Sequence, residues 1–223
     1  MDSKIISVHG RDWVVPVKNN EGQFRFMSHE IFNLKVYDVP LCSIEKGFVV
    51  IDVGANVGMF TTYCCEKEVE KAYAIEPGET FNCLIENTKK YKNINYTNAA
   101  SWSHRASLEF IDRPDESGQS QVKQGMSEYP PIKVEGVTID YIVKKLNLSK
   151  VDFIKIDVEG SETEVLDGAK YTIKTFKPRM AVCLYHKKDD WELIPKLVFD
   201  MIHSYKYTPV SYRETRCDVG YFY

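Results

Sequence analysis

No run of this chain approaches the roughly 20 apolar residues that span a bilayer, no cysteines form a C-x-x-C pair, and no G-K-[ST] follows its glycines. Positive charge is not in excess: 29 Lys and Arg against 32 Asp and Glu leave a net charge of −3. Each shortage excludes something. A membrane-spanning helix is not expected. A zinc or disulfide framework is not expected from Cys42, Cys64, Cys65, Cys83, Cys183 and Cys217, which are scattered along the chain. A triphosphate-binding loop lacks the lysine that meets the phosphates. No bulk field draws the protein onto nucleic acid, so no nucleic-acid partner is expected. The opening "MDSKIISVHGRDW" has no long apolar centre, so an export signal is not expected and the thiols should be reduced in the cytoplasm.

What is present suits one sizeable domain: 223 residues, 43% hydrophobic and 27% charged. Residues 1–45 carry short alternating runs, "KIISV", "WVVPV" and "QFRFM", which read as a small strand-rich extension. From 46 to 223 strand-like runs alternate with helix-like ones. "FVVID", "KAYAI", "INYTNA", "VDFIKID" and "RMAVCLY" are separated by helical stripes such as Ile139, Ile142, Val143 and Leu146. That alternation predicts an α/β, doubly wound, mostly parallel Rossmann-like sheet with helices on both faces. "YKYTPVSY" and "CDVGYFY" leave no room for a crossover helix and predict a C-terminal antiparallel hairpin. The polar stretch 112–131 reads as a long loop that could close over a ligand, with Gln119, Ser120 and Tyr129 available to touch it.

The most informative turn is "FVVIDVGANVGMF". A pyrophosphate site wants G-x-G-x-x-G so that bare backbone reaches the phosphates. Here Gly54 and Gly58 flank Ala55 and Asn56, and the asparagine adds a polar side chain. Asp52, just before the turn, would repel phosphate but could order the turn or hold an ammonium group. Glu76 ends the next strand, where a carboxylate accepts hydrogen bonds from ribose hydroxyls; Pro77 follows it. Asn98, Ala99 and Ala100 end a third strand and would let a flat base lie near the backbone. The residues ask for a phosphate-free nucleoside with an amino-acid tail, which describes S-adenosylmethionine. Close helix–strand packing is the other use of such a glycine pair.

A second carboxylate cluster lies in "VDFIKIDVEGSETEVLDGAK". Asp157 and Glu159 precede a helix that Ser161-x-x-Glu164 would start as a capping box. Glu162 and Glu164 are assigned to that helix start, where acids suit the dipole. His186, after Tyr185 at the end of the next strand, is the first choice for a base that takes an acceptor's proton, with Asp157 second. Glu159 would orient His186 or bind the acceptor. Asp157, Glu159 and His186 could also hold a divalent ion, but three ligands inferred from spacing do not establish one, and no metal is expected.

The motifs "VVIDVGANVG", "AIEP", "VTID", "VDFIKIDVEGSE", "VLDGA" and the strand ending in His186 resemble, in order and spacing, the FkbM-type methyltransferases. The resemblance runs from about Phe48 to His186. It implies a class I S-adenosylmethionine-dependent fold, a seven-stranded sheet with a reversed C-terminal hairpin, and methyl transfer to a hydroxyl of a sugar, glycan or small natural product. It carries Asp52, Gly54, Asn56, Gly58, Glu76 and Pro77 over as cofactor residues, and Asp157 and Glu159 as site residues. Tyr185 stands where many members have a glutamate. The expectation is an O-methyltransferase, able to form homo-oligomers. Its rivals are transfer to RNA or an amine, and a non-catalytic binding module.

Overall fold

The computed structural model describes residues 2–113, 115–123, 125 and 127–223. The chain opens with a hairpin of β1 (Ser3–Val8) and β2 (Arg11–Pro16), then α1 (Glu21–Ser28) and a π-helical turn, His29–Leu34. The sheet strands and crossover helices begin with β3 (Val49–Val53), α2 (Met59–Glu66), β4 (Lys71–Ile75), α3 (Thr80–Thr88) and β5 (Ile94–Thr97). A second, smaller sheet is made by β6 (Ala100–Ser101), β7 (Ala106–Ile111), β8 (Gln121–Val122) and β9 (Ile132–Val137). There follow α4 (Ile139–Lys145), β10 (Phe153–Ile156), α5 (Glu162–Asp167), α6 (Lys170–Phe176), β11 (Arg179–Cys183) and α7 (Asp190–Met201). The chain closes with β12 (Tyr207–Tyr212) and β13 (Cys217–Phe222).

The main sheet has seven strands in the order β12-β13-β11-β10-β3-β4-β5. The five from β11 to β5 run parallel, and β13 pairs antiparallel with β11 and with β12. Alternation of side chains sorts each strand between two cores. Val49, Ile51, Val53, Ile154 and Ile156 join Ile142 of α4, Leu166 of α5, Ile173 of α6 and Val198 of α7 on one face. Val50, Phe153 and Ala181 meet Phe60 and Cys64 of α2 on the other. Both faces are therefore covered, as a parallel sheet requires.

Four expectations change. "QFRFM" is not a strand: Asn20 caps a helix there, its side chain accepting from the N–H of Gly22 and Gln23, and Phe24 buries completely. Residues 1–45 do not stand apart from 46–223, because Ile6, Trp13, Val15 and Phe24 share one core with Val57, Met59 and Cys83. The stretch 112–131 is not all loop: its 3-10 turn, Ser117–Gln119, and β8 tie it to the small sheet. The helix after Ser161 is two helices, α5 and α6. Gly168 ends the first where a Cβ would sit 2.1 Å from the Trp102 carbonyl oxygen. All six cysteines are buried and none is joined in a disulfide, and no helix among the described residues is long and apolar enough to cross a membrane.

Candidate active site

The strand order reverses between β10 and β3, and a cavity of about 270 Å³ opens at the carboxyl ends of the strands there. That is where an open parallel sheet leaves room for a ligand. Gly54, Asn56, Glu76, Pro77, Asp157 and Glu159 are among its walls.

Beneath the rim lies a buried cation that the sequence reading passed over. Lys155, in the middle of β10, donates from Nζ to the carbonyl oxygen of Gly54 at 2.6 Å. It stands 3.3 Å from Asp52 Oδ1 and 4.0 Å from Asp157 Oδ2. Burial lowers its pKa, but the Asp52 and Asp157 carboxylates outweigh that and hold it above the usual lysine value. A lysine inside the apolar run "FIKI" was the available signal, since buried lysines are rare unless paired. Asp52 is correspondingly not a cavity residue. It is fully buried, accepts from Thr61 Oγ1 at 2.6 Å and neutralises Lys155.

The glycine turn is held by backbone. The N–H groups of Gly54 and Ala55 both donate to the Ile75 carbonyl. Gly54 has φ 77°, and a Cβ there would lie 1.9 Å from the Asp157 carbonyl oxygen, so only glycine fits between β3 and β10. Asn56 has φ 50°. Its N–H donates to Glu76 Oε2 at 2.9 Å, and Thr80 Oγ1 donates to Oε1 at 2.6 Å. Burial pushes the Glu76 carboxyl up to about 7 despite those bonds. Ala55, Ala99, Ala100 and Ser101 complete this side, and Ser101 Oγ is buried without a hydrogen-bond partner. Two expected residues belong elsewhere. Gly58 (φ 90°) lies at the start of α2, where a Cβ would press within 2.9 Å of Leu84 and Thr88, so helix packing is its role. Asn98 is exposed on a shallow depression with Gly78, Asn82 and Asp112.

On the β10 side, Asp157 Oδ2 accepts from Tyr37 OH at 2.7 Å. Burial raises the Asp157 pKa, but Lys155, His186 and Tyr37 together hold it below the usual carboxylate range. Glu159 lies in the left-handed region at φ 55°, a conformation costly for a residue with a side chain and concentrated at functional sites. Glu162 is not merely a helix-dipole acid. It is 1% exposed, and Oε1 accepts from the N–H of Val158 and Gly160 and faces His186 Nδ1 at 2.8 Å. The Ser161 side chain makes no cap bond to this helix, so the capping box does not form.

His186 is misplaced as a base. Its ring is not part of the cavity wall, and Nε2 lies 3.4 Å from Glu159 Oε2 and 3.6 Å from Asp157 Oδ1. Burial lowers its pKa, but hydrogen bonds to Glu159 and Glu162 raise it further, to about 11. An imidazolium at neutral pH has no lone pair to accept a proton. Tyr185 does line the cavity, its ring 4.0 Å from that of His186.

The N-terminal segment supplies walls that no motif announced. Phe26, Met27, Glu30, Ile31 and Tyr37 line the cavity, and Glu30 sits on the π-helical turn, a distortion frequent at functional sites. Burial pushes the Glu30 carboxyl up to about 7, with a bond to Thr215 opposing it. From 112–131, Ser117, Gly118, Gln119, Ser120 and Val122 reach the cavity. Tyr129 does not; it donates to Asp115 at 2.7 Å.

Known proteins resemble this chain in sequence and in fold. The family model described as the methyltransferase FkbM domain matches residues 52–208. A curated "Methyltransferase 1" of Beauveria bassiana is 28% identical over 205 residues, covering 82% of this chain and 75% of the relative. The 31-O-demethyl-FK506 methyltransferase FkbM of Streptomyces tacrolimicus is 24% identical over 183 residues, covering 68% and 70%. Among solved structures, the methyltransferase FkbM of Methylobacillus flagellatus superposes with a TM-score of 0.60 at 20% identity. That match covers 80% of this chain but 43% of the other, so the chain spans less than half of that relative. Fibrillarin of Aeropyrum pernix, solved with natively bound S-adenosyl-L-methionine, shares the fold at a TM-score of 0.52, 11% identity and coverage of 99% and 82%. The chain belongs to the FkbM family of S-adenosylmethionine-dependent methyltransferases.

Proposed function

We propose that the protein is a cytoplasmic O-methyltransferase that methylates a hydroxyl of a sugar, glycan or small natural product. The observation that carries this reading is the acidic acceptor side of the cavity. Glu30, Asp157 and Glu159 line it beside Phe26 and Tyr185, and Lys155 is the one basic residue of the lining among the described residues, its charge already met by Asp52. Carboxylates accept hydrogen bonds from hydroxyls and repel a polyanion, which disfavours RNA. The relative named for 31-O-demethyl-FK506 supports an oxygen acceptor.

The residues fit the cofactor. Glu76 is a buried carboxylate whose two oxygens retain lone pairs for ribose hydroxyls. Ser101 Oγ has no partner of its own, and Ala99 and Ala100 leave space for a flat base. When bound, the cofactor supplies a methyl group made electrophilic by its sulfonium. The chain must orient an acceptor oxygen in line with that methyl and exclude water. Phe26, Met27 and Ile31 close the cavity on the acceptor side. Glu30 takes the acceptor's proton, replacing His186 in that role.

The acid-base state of Glu76 should govern cofactor affinity. Its carboxyl holds a proton up to a pH of about 7 in the free protein, whereas ribose hydroxyls favour the ionised form. Affinity should therefore be full above pH 8 and fall as pH drops below 7, by up to about tenfold per unit. Calorimetric titrations at pH 6, 7 and 8 check this; a flat profile would remove Glu76 from the ribose site.

The functional reading is tested with methyl-labelled cofactor and a panel of glycans, polyols, amines and RNA. Label on an oxygen of a polyhydroxylated acceptor supports it, and label on nitrogen or RNA overturns it. With that acceptor, Glu30→Gln should lower kcat about a hundredfold while cofactor affinity holds.

A further inference from the structure

α1 lies before residue 52, outside the stretch that the family model matches, yet polar contacts tie it to the glycine turn. The N–H of Asn20, its cap residue, donates to the Asp115 carbonyl at 2.8 Å. Asn19, 2% exposed, donates from Nδ2 to Ser117 Oγ at 2.8 Å, and Ser117 Oγ donates on to Asn56 Oδ1 at 3.4 Å. Phe24 anchors the helix in the core. Gln23, one residue earlier, lines the cavity. It packs on the 3-10 turn, where a Cβ on Gly118 would lie 3.4 Å from Gln23 Nε2 and 3.1 Å from Met27 Sδ. Gln23 Oε1 is buried and has no hydrogen-bond partner. An unmade hydrogen bond at a buried carbonyl is costly, so such an acceptor in a cavity wall marks where a ligand's donor belongs.

The cofactor's parts follow the strand tips. The base takes the space at Ala99 and Ala100, and the ribose meets Glu76 at the tip of β4. The amino-acid tail then reaches the glycine turn after β3, where its ammonium needs an acceptor. Asp52, the residue that the sequence offers, is buried and neutralised by Lys155. Asp157 has Tyr37 and Lys155 at Oδ2 and His186 at Oδ1. We propose that Gln23 binds the amino-acid tail of S-adenosylmethionine, its Oε1 accepting a hydrogen bond from the ammonium. A neutral amide suffices there, because the carboxylate of the tail already balances the ammonium charge. Asn19 and Ser117 are positioning residues, joining α1 and the 3-10 turn to Asn56. The N-terminal segment is thereby part of the cofactor site and not only a wall for the acceptor. The assignment rests on the cofactor and is independent of which acceptor is methylated.

The test is calorimetry on the full chain at pH 8 with two probes. S-adenosylhomocysteine carries the tail; 5′-methylthioadenosine keeps the adenosine and the thioether but lacks the ammonium and the carboxylate. Gln23→Met, close in size but without the acceptor, should weaken S-adenosylhomocysteine binding about tenfold or more. It should leave 5′-methylthioadenosine within about twofold, since that probe has no group for the amide to bind. Gln23→Glu should bind S-adenosylhomocysteine at least as tightly as the wild type, because a carboxylate accepts more strongly from an ammonium. A purely structural role for Gln23 would not give that recovery. If Gln23→Met does not fold by circular dichroism, Gln23→Glu decides. Equal losses for the two probes, unchanged S-adenosylhomocysteine affinity in Gln23→Met, or weaker binding of it by Gln23→Glu would overturn the assignment.

Discussion

Lys155→Met should destabilise the protein by about 3–5 kcal/mol, because it leaves the carboxylate of Asp52 buried without its counter-charge. Asp52 is 0% exposed and Lys155 3%, so water cannot replace the lost partner. The substitution also removes the donor that holds the Gly54 carbonyl at 2.6 Å, so cofactor affinity should fall with stability. Removing both charges, in Asp52→Asn with Lys155→Met, should recover at least half of the loss, since no unpaired ion then remains. Urea unfolding at pH 7 of the wild type and both variants measures these losses. A single-variant loss below about 1 kcal/mol would mean that the buried pair does not organise the turn.

Gly54→Ala should cost about 2–5 kcal/mol. A left-handed backbone with a Cβ costs about 1–2 kcal/mol, and forcing the Cβ against β10 adds about 1–3 kcal/mol. The obstacle is the Asp157 backbone oxygen, 1.9 Å from where that Cβ would sit, and backbone cannot rotate away as a side chain can. Relief would push β3 from β10 and displace Asp157, so turnover should fall further than stability does. Gly10→Ala is the control: Gly10 has φ 68° but nothing within 4 Å of its Cβ, so it should show the backbone cost alone. Thermal unfolding and initial rates compare them. Equal losses at both positions would show that the close approach at Gly54 is unimportant.

The fold was legible where the sequence carried period. The parallel strands and the C-terminal hairpin follow from apolar runs spaced by helices, and from the absence of a crossover after Tyr207. "QFRFM" misled because its alternation mimics a strand, while Asn20 supplies a helix cap that outweighs it. At the site, residues at strand tips were readable: Glu76, Asp157 and Glu159 reach the cavity because a strand end must point there. Asp52 and Gly58 were not, because a short glycine turn sends some side chains inward and others out, and only packing decides which. Glu162 looked like a dipole acid, yet the turn through Glu159 and Gly160 folds it back under His186. Glu30 and Tyr37 lie more than a hundred residues from the carboxylates they join, a proximity that no local pattern encodes. The charge of His186 was equally hidden, since it depends on Glu159 and Glu162 closing around one ring.

The most direct test of the account is a calorimetric titration of S-adenosylmethionine at pH 8, where Glu76 is ionised, against the wild type and Glu76→Ala. The wild type should bind one equivalent. The variant, folded by circular dichroism, should lose about 1–3 kcal/mol of binding free energy, because charge-assisted ribose hydrogen bonds are removed. Equal affinity in the two proteins, or no binding by the wild type, would contradict the claim that this cavity holds the cofactor through the tip of β4.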